Sequence, residues 1–181
     1  THRDKARVGT ISSLMEHYLE WKDPYPLTTS EVFLQRQPGA SNDEDYDDRM
    51  VAEDQASYKS TDPTSQEILI AGLFSKTNFL DVIQNFTVFE VIDGRTIKKI
   101  PRYQQFRAVH KTIERVKTGK TRKERGGVIW HTQGSGKSLT MVFLSQKMRR
   151  DPVLSQYKLV FITDRTQLDN QLTATFGRAQ D

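Results

Sequence analysis

An α/β fold, with a parallel sheet flanked by helices and a phosphate-binding loop at a strand end, is the architecture this sequence predicts. Three observations predict it. Residues 126–140, GGVIWHTQGSGKSLT, join a short apolar run to a glycine-rich loop and then to an amphipathic run. Residues 159–163, LVFIT, read as a second buried parallel strand with Asp164 at its carboxyl end, where α/β proteins place their sites. Helical apolar patterns flank the first run, through Phe106, Ala108, Val109, Ile113 and Val116 before it and through Leu139, Met141, Val142, Phe143 and Leu144 after it.

The order of these signals is what phosphate chemistry requires. The strand is Val128, Ile129 and Trp130; the loop is Thr132, Gln133, Gly134, Ser135 and Gly136; Lys137 and Ser138 open the helix. Glycines let successive backbone N–H groups turn toward one anion, and a helix start adds its unpaired N–H groups and positive dipole end. Lys137 is then expected to neutralise the outer phosphates and the Ser138 hydroxyl to ligate Mg²⁺. The consensus GxxxxGK[ST] is met at Gly136, Lys137 and Ser138, while His131 stands in its first glycine slot and Gly134 precedes the last glycine. Trp130 and His131 read as packing residues. A simple turn between a core strand and a core helix, with Lys137 solvated, is the bland alternative; agreement of strand, loop and helix signals in the motif's order weighs against it.

The remaining elements follow in sequence. Val8 to Ile11 reads as a short strand, and Leu14, Met15, Tyr18 and Leu19 as a helical pattern ended by Pro24 and Pro26. From Leu27 to Pro63 the composition is polar, acidic and punctuated by Pro38, Gly39 and Asn42, which predicts loop or linker. Thr64 or Ser65 caps a helix through Ile68, Leu69, Ala71, Leu73 and Phe74, and Thr77 or Asn78 begins another carrying Phe79, Leu80, Val82 and Ile83. FTVFEVIDGRTIKKI reads as a β-hairpin turning at Asp93-Gly94. Pro101 starts the next helix, Gly119 ends it within the basic loop KTGKTRKERGG, and Pro152 breaks the chain after the helix that the glycine-rich loop opens.

Composition narrows the class. With 181 residues, 35% hydrophobic and 28% charged, the chain fits a soluble globular protein of one domain, or one incomplete domain plus a piece of another. No apolar run approaches membrane-spanning length, and the absence of cysteine excludes disulfides and thiolate metal sites. The sequence begins THRDKARVG without an initiator methionine and ends in GRAQD, so a fragment is expected. The net charge of +4 hides an asymmetry: residues 43–54, DEDYDDRMVAED, carry seven acids and one arginine, whereas Arg95 to Arg125 hold twelve Lys or Arg against two Glu. The acidic block reads as a solvated loop. The basic stretch suits either a nucleic-acid track or ordinary solvated helix faces.

Three further constellations carry possible chemistry. Asp164, after an apolar strand, is a candidate Mg²⁺ carboxylate, although Arg165 follows it where a second acid would help. Glu20-Trp21-Lys22, with Asp4 upstream, matches half of a metal-dependent nuclease motif but follows helix-like residues and precedes Pro24. Gln105, in PRYQQFRAV, lies on the helix that enters the loop's strand, where an amide offers a donor and an acceptor to an adenine edge; alone it would be an exposed helix residue.

Taken together, NFTVFEVIDGRTIKKIPRYQQFRAVHKTIERV, GGVIWHTQGSGKSLTMVFLSQKMRR and KLVFITDRTQLDNQL resemble the motor and restriction subunit (HsdR) of bacterial type I restriction-modification enzymes, a superfamily 2 helicase-like translocase. ARVGTISSLMEHYLEWK is similar, more weakly, to the end of that family's nuclease domain. The resemblance implies an incomplete RecA-like domain over 101–181, preceded by the nuclease domain's end at 1–26, an acidic linker at 27–63, and helices and a hairpin at 64–100. It assigns Gln105 to adenine, Thr132, Gln133, Gly134, Ser135, Gly136 and Lys137 to the phosphates of ATP, Ser138 to Mg²⁺, and moves Asp164 and Arg165 to the DNA backbone. The family's nuclease residues and its Walker B acids would then lie outside the chain, so Glu20 and Lys22 receive no catalytic role. The parent protein would be a cytoplasmic type I deoxyribonuclease that pulls duplex DNA using ATP and works with methylation and specificity subunits; this chain alone would bind nucleotide weakly or not at all and not sustain hydrolysis. Two other classes stay open: a small P-loop kinase or nucleotide switch with Asp164 on Mg²⁺, and a non-catalytic DNA-binding module using Arg95 to Arg125.

Overall fold

The computed structural model describes residues 5–11, 13–35, 62–92 and 94–162. The strands β1 (Arg7–Val8) and β2 (Leu19–Glu20) pair with each other, with a 3-10 turn at Met15–His17 between them. There follow α1 (Thr29–Gln35), α2 (Ser65–Leu73), α3 (Lys76–Asn85), β3 (Val88–Ile92), β4 (Arg95–Lys99), α4 (Tyr103–Thr118), α5 (Arg122–Arg125) and α6 (Lys137–Arg150). Among the described residues no helix is long and apolar enough to cross a membrane. Contacts gather the chain into two compact units, Thr1–Arg7 with Glu20–Ser75, and Val8–Leu19 with Lys76–Asp181.

The first unit is built on Trp21. Its indole is buried and Nε1 donates to the Asp23 carbonyl at 2.8 Å. The apolar stripe of α2, Leu69, Gly72 and Leu73, is buried too, at the spacing of one helix face. Gly72 is required for space: a Cβ there would stand 2.4 Å from Trp21 Nε1 and 2.5 Å from the Asp23 oxygen. Gly72→Ala is therefore expected to lower stability by about 1–3 kcal/mol through overpacking. Urea unfolding followed by Trp21 fluorescence in a Trp130→Phe background measures it, and an unchanged midpoint would contradict the assignment.

Capping starts both described helices of this unit. Thr64 accepts from the Glu67 N–H and the Glu67 carboxylate accepts the Thr64 N–H at 2.7 Å, a reciprocal box that agrees with the predicted start. The same box, Thr28 with Glu31, begins α1 inside the stretch that the sequence predicts as linker. Thr28-x-x-Glu31 just after Pro26 is a readable helix start, so polar composition misleads there. The N–H and then the hydroxyl of Thr28 hold the Glu31 carboxyl below its ordinary range. The acidic block at 43–54 lies outside the described residues.

In the second unit, α3, α4 and α6 meet around three rings, Phe86, Phe106 and Phe143, which are 0%, 1% and 0% exposed. Ring centroids lie 4.8 Å apart for Phe86–Phe106 and 5.4 Å for Phe86–Phe143. Val82, Val88, Val109, Ile113, Val142, Met148 and Leu154 complete the core among the described residues. Beside the rings stands a partly buried ionic knot. The Asp81 carboxylate accepts from Lys147 Nζ at 2.6 and 2.7 Å and from Asn85 Nδ2 at 2.6 Å, and His110 Nε2 stands 2.7 Å away. Burial alone would raise the Asp81 pKa, but hydrogen bonds from His110, Lys147 and Asn85 and the Lys147 charge outweigh it and hold the group at about 2.

The predicted hairpin is present. β3 and β4 pair antiparallel with Ile92 opposite Arg95, the register that a two-residue turn at Asp93-Gly94 requires, and Gly94 has φ 74°. Thr10 Oγ1 donates to the Lys98 carbonyl at 2.8 Å along β4. α4 ends at Gly119 as expected, though with φ −64° rather than a left-handed turn; a Cβ there would meet Arg125 Cγ at 2.8 Å, so closeness to α5 is what calls for glycine. That short helix, capped by Thr121 and Glu124, occupies part of the predicted basic loop.

Four expectations need correction. No parallel sheet occurs among the described residues; both sheets are two-stranded. Residues 128–130 and 159–162 carry no regular structure, and Val128, Trp130, Val160 and Ile162 are 91%, 88%, 73% and 92% exposed, so Trp130 is no packing residue. A parallel strand is stable through neighbours on both sides, and none of the described strands lies beside these runs. The helical pattern from Leu14 to Leu19 becomes a single 3-10 turn followed by β2, because a six-residue periodicity is too short to nucleate a helix against strand pairing. The linker contains α1.

Candidate nucleotide-binding loop

The loop between residue 131 and α6 is shaped by its two glycines. Gly134 and Gly136 adopt φ 75° and 81°, left-handed values that a side chain would strain. A Cβ on Gly134 would meet nothing within 4 Å, so that side of the loop is open. Thr132 anchors the turn: its carbonyl accepts from Ser135 N–H at 3.3 Å, Ser135 Oγ at 2.7 Å and Lys137 Nζ at 3.0 Å. The glycine conformation at Gly136 is the N-cap of α6, whose first residues are Lys137 and Ser138. No acidic residue occurs from His131 to Thr140. Thus Thr132 to Ser138 present an open, cationic turn at the positive end of a 14-residue helix.

Gln105 is where the polar-residue rule fails. It is 2% exposed instead of solvated. Its Oε1 accepts the Arg102 N–H at 2.8 Å, and its Nε2 donates to the carbonyls of Ser135 at 3.3 Å and Gly136 at 3.0 Å. The Gly136 carbonyl also accepts from Thr140 N–H at 3.0 Å and Thr140 Oγ1 at 3.2 Å. Thr140 is buried, and the motif pattern does not single it out; threonine four residues into a helix that starts at glycine is the available signal.

The matching stretch is broad. A family model described as SWI2/SNF2 ATPase matches residues 104–181, which take in nearly all of α4, the loop and α6. The "Type I restriction enzyme HindI endonuclease subunit" of Haemophilus influenzae is 40% identical over 116 residues, 62% of this chain and 11% of that protein. This chain is related to the type I restriction endonuclease subunits. A "Putative type I restriction enzyme MjaIXP endonuclease subunit" of Methanocaldococcus jannaschii is 38% identical over 125 residues, 66% of the chain and 12% of the relative. A "Putative type I restriction enzyme MjaVIIIP endonuclease subunit" of the same organism is 36% identical over 108 residues, 55% of the chain and 10% of the relative. The chain therefore spans about a tenth of the length of these three type I endonuclease subunits. No solved structure matches it.

The remaining candidate residues of this type I relative fall away from the loop or outside the described residues. Asp164 and Arg165 lie outside them, as does Asp4. Glu20 and Lys22 lie in extended chain and form an ion pair at 3.0 Å; the hydrogen bond from Lys22 first, and then its charge, hold the Glu20 carboxyl below its ordinary range. Among the described residues no cluster of His, Asp or Glu is arranged to hold a metal. The Asp81, His110 and Lys147 knot is invisible in the sequence because its members sit on three helices with no shared local pattern.

Proposed function

We propose that the turn from Thr132 to Lys137 binds the phosphates of ATP, with Ser138 on Mg²⁺, in an ATPase segment of a type I restriction subunit. The observation that carries this reading is the pair of left-handed glycines opening α6 within the stretch matched by the SWI2/SNF2 ATPase family. The residues fit the group: the turn is open at Gly134, free of acids, and its lysine side chain reaches back along the turn to Thr132. ATP would supply a transferable phosphoryl group; the chain's own part is to orient it with N–H groups and the Lys137 charge.

By kinship with the type I endonuclease subunits, we extend the proposal to the parent protein: duplex DNA translocation driven by ATP, cleavage away from the recognition site, and association with methylation and specificity subunits. The segments 1–26, 27–63, 64–100 and 101–181 keep the roles of nuclease-domain end, linker, approach to the motor and start of the motor, with Asp164 and Arg165 toward DNA. The test is equilibrium titration with MgATP of the parent subunit that carries this segment, because the 181 residues alone are expected to bind nucleotide weakly or not at all. Lys137→Ala is expected to weaken binding at least about tenfold, the loss of one charge-assisted contact. Equal affinity in both proteins would remove the loop from the site.

A further inference from the structure

We infer that the outer face of α4 and the short helix α5 form a track for the phosphate backbone of a nucleic-acid duplex, apart from the phosphate turn; the inference rests on the proposed engagement of duplex DNA by the parent protein. α4 buries Gln105, Phe106, Val109 and Ile113 against the core. The opposite face carries Arg107, Lys111 and Arg115, four residues apart, and all three are exposed. They stand about 6 Å apart along the helix axis, a row of like charge about 12 Å long. Glu114, the one acid of α4, stands at the edge of the row. Like charges at this spacing destabilise a helix. The dipole at the helix C-terminus favours Arg115, but its effect fades beyond the last turn and does not reach Arg107 or Lys111. Helix stability therefore gives no reason for the row.

α5 adds to it. The chain turns back at Gly119, whose carbonyl accepts from Arg125 Nε at 2.7 Å, and a Cβ on Gly127 would lie 3.7 Å from Arg115 Cδ. Lys120, Arg122 and Lys123 are thereby held near the end of α4, and they are exposed. The acid of this stretch is engaged elsewhere: Glu124 accepts from the Lys120 N–H at 2.7 Å and the Thr121 N–H at 3.4 Å, and these backbone bonds hold its carboxyl below its ordinary range. On the flank of α4, Lys117 pairs with Asp151. Among the described residues no carboxylate pairs with Lys111, Arg115, Lys120, Arg122 or Lys123. The kind of partner follows from what accompanies the cations. Gln104, Ala108 and Thr118 share the face of α4, and residues 119–127 contain no apolar or aromatic side chain. A protein partner is held by aromatic or apolar anchors at the centre of its interface, and a single strand by rings on which its bases stack. A row of cations among small and polar groups fits a regular line of phosphates, one per about 3.4 Å along each strand of a duplex. Contacts of that kind are indifferent to base sequence.

Fluorescence anisotropy of a labelled DNA duplex with the parent subunit, taken from about 50 to 200 mM salt, tests the track. Lys111→Gln with Arg115→Gln, and Arg122→Gln with Lys123→Gln, are compared with the unsubstituted subunit and with Lys117→Gln, a loss of charge on the same helix but off the face. Each double variant is expected to weaken binding about tenfold at the lowest salt and to flatten the slope of log affinity against log salt by about two, equally on duplexes of unrelated sequence. Lys117→Gln is expected to leave the slope unchanged. Misfolding does not imitate this pattern, since a smaller folded fraction lowers apparent affinity alike at every salt concentration. An unchanged slope in either double variant would overturn the inference, as would an effect confined to one sequence or an equal effect of Lys117→Gln per charge removed. Double variants that keep the slope but lose association with the methylation or specificity subunits would make the face a protein interface instead. If the unsubstituted subunit binds no duplex at the lowest salt, the proposed engagement of DNA fails and the inference with it.

Discussion

Asp81→Ala is expected to destabilise the second unit by about 3–5 kcal/mol, the cost of leaving a partly buried cation without its counter-charge. Lys147 Nζ meets both carboxylate oxygens and its side chain is 17% exposed, so water replaces the lost partner poorly. Lys147→Met in the Asp81→Asn background is expected to recover part of the loss, since a neutral pair of similar volume leaves no stranded charge. The pH dependence has a fixed sign. A carboxyl held at about 2 against an ordinary 3.8 contributes stability above 3.8 and loses it as pH falls toward 2. That contribution is on the order of 1–2 kcal/mol after allowance for partial solvation. The stability gap between the unsubstituted chain and Asp81→Asn should therefore narrow across that acid window and stay constant above it. Denaturant curves at stepped pH read both, and a gap below about 0.5 kcal/mol at neutral pH would class the knot as a surface pair.

Phe86→Ala carries a similar expected cost, about 3–5 kcal/mol, by a different route. Phe86 is fully buried and touches α4 through Phe106 and His110 and α6 through Phe143, with the Lys147 ammonium 5.5 Å from its ring centre. Truncation leaves a cavity shared by three helices, and none can fill it without drawing off the others. Phe86→Leu should cost less, because most of the volume remains. Thermal unfolding by circular dichroism gives the comparison; equal effects of Leu and Ala would mean that the core collapses freely around the gap. Since Asp81 and Phe86 share Lys147 and His110 as neighbours, the double variant is expected to cost less than the sum of the two.

How far a sequence can be read depends on the range of the forces involved. The hairpin is legible because Asp93-Gly94 sets its own turn, and α2 and α4 because caps and apolar periodicity are local. The loop is legible for the same reason: Gly134 and Gly136 announce left-handed backbone wherever the chain goes. Val128 to Trp130 and Leu159 to Ile162 have the composition of buried strands, but strand formation is a property of pairs, and composition names no partner. Gln105 shows the converse. Its polarity predicts solvent, whereas three backbone groups of fixed geometry give it a buried position, and no pattern in PRYQQFRAV records that Ser135 and Gly136 will lie beside it. The Thr28 and Glu31 pair is visible in the sequence, yet the acidic composition downstream outweighs it.

The helix that opens at the glycine turn is fastened twice, at Gly136 by Gln105 and, about three turns on, at Lys147 by Asp81. A rod of 14 residues is about 20 Å long and resists bending. Held in this way it has little freedom to slide or to roll, and a push on the turn becomes a tilt about the far anchor. Motion at the glycine-turn end would then be delivered to α3 as leverage, with the ionic knot serving as the fulcrum.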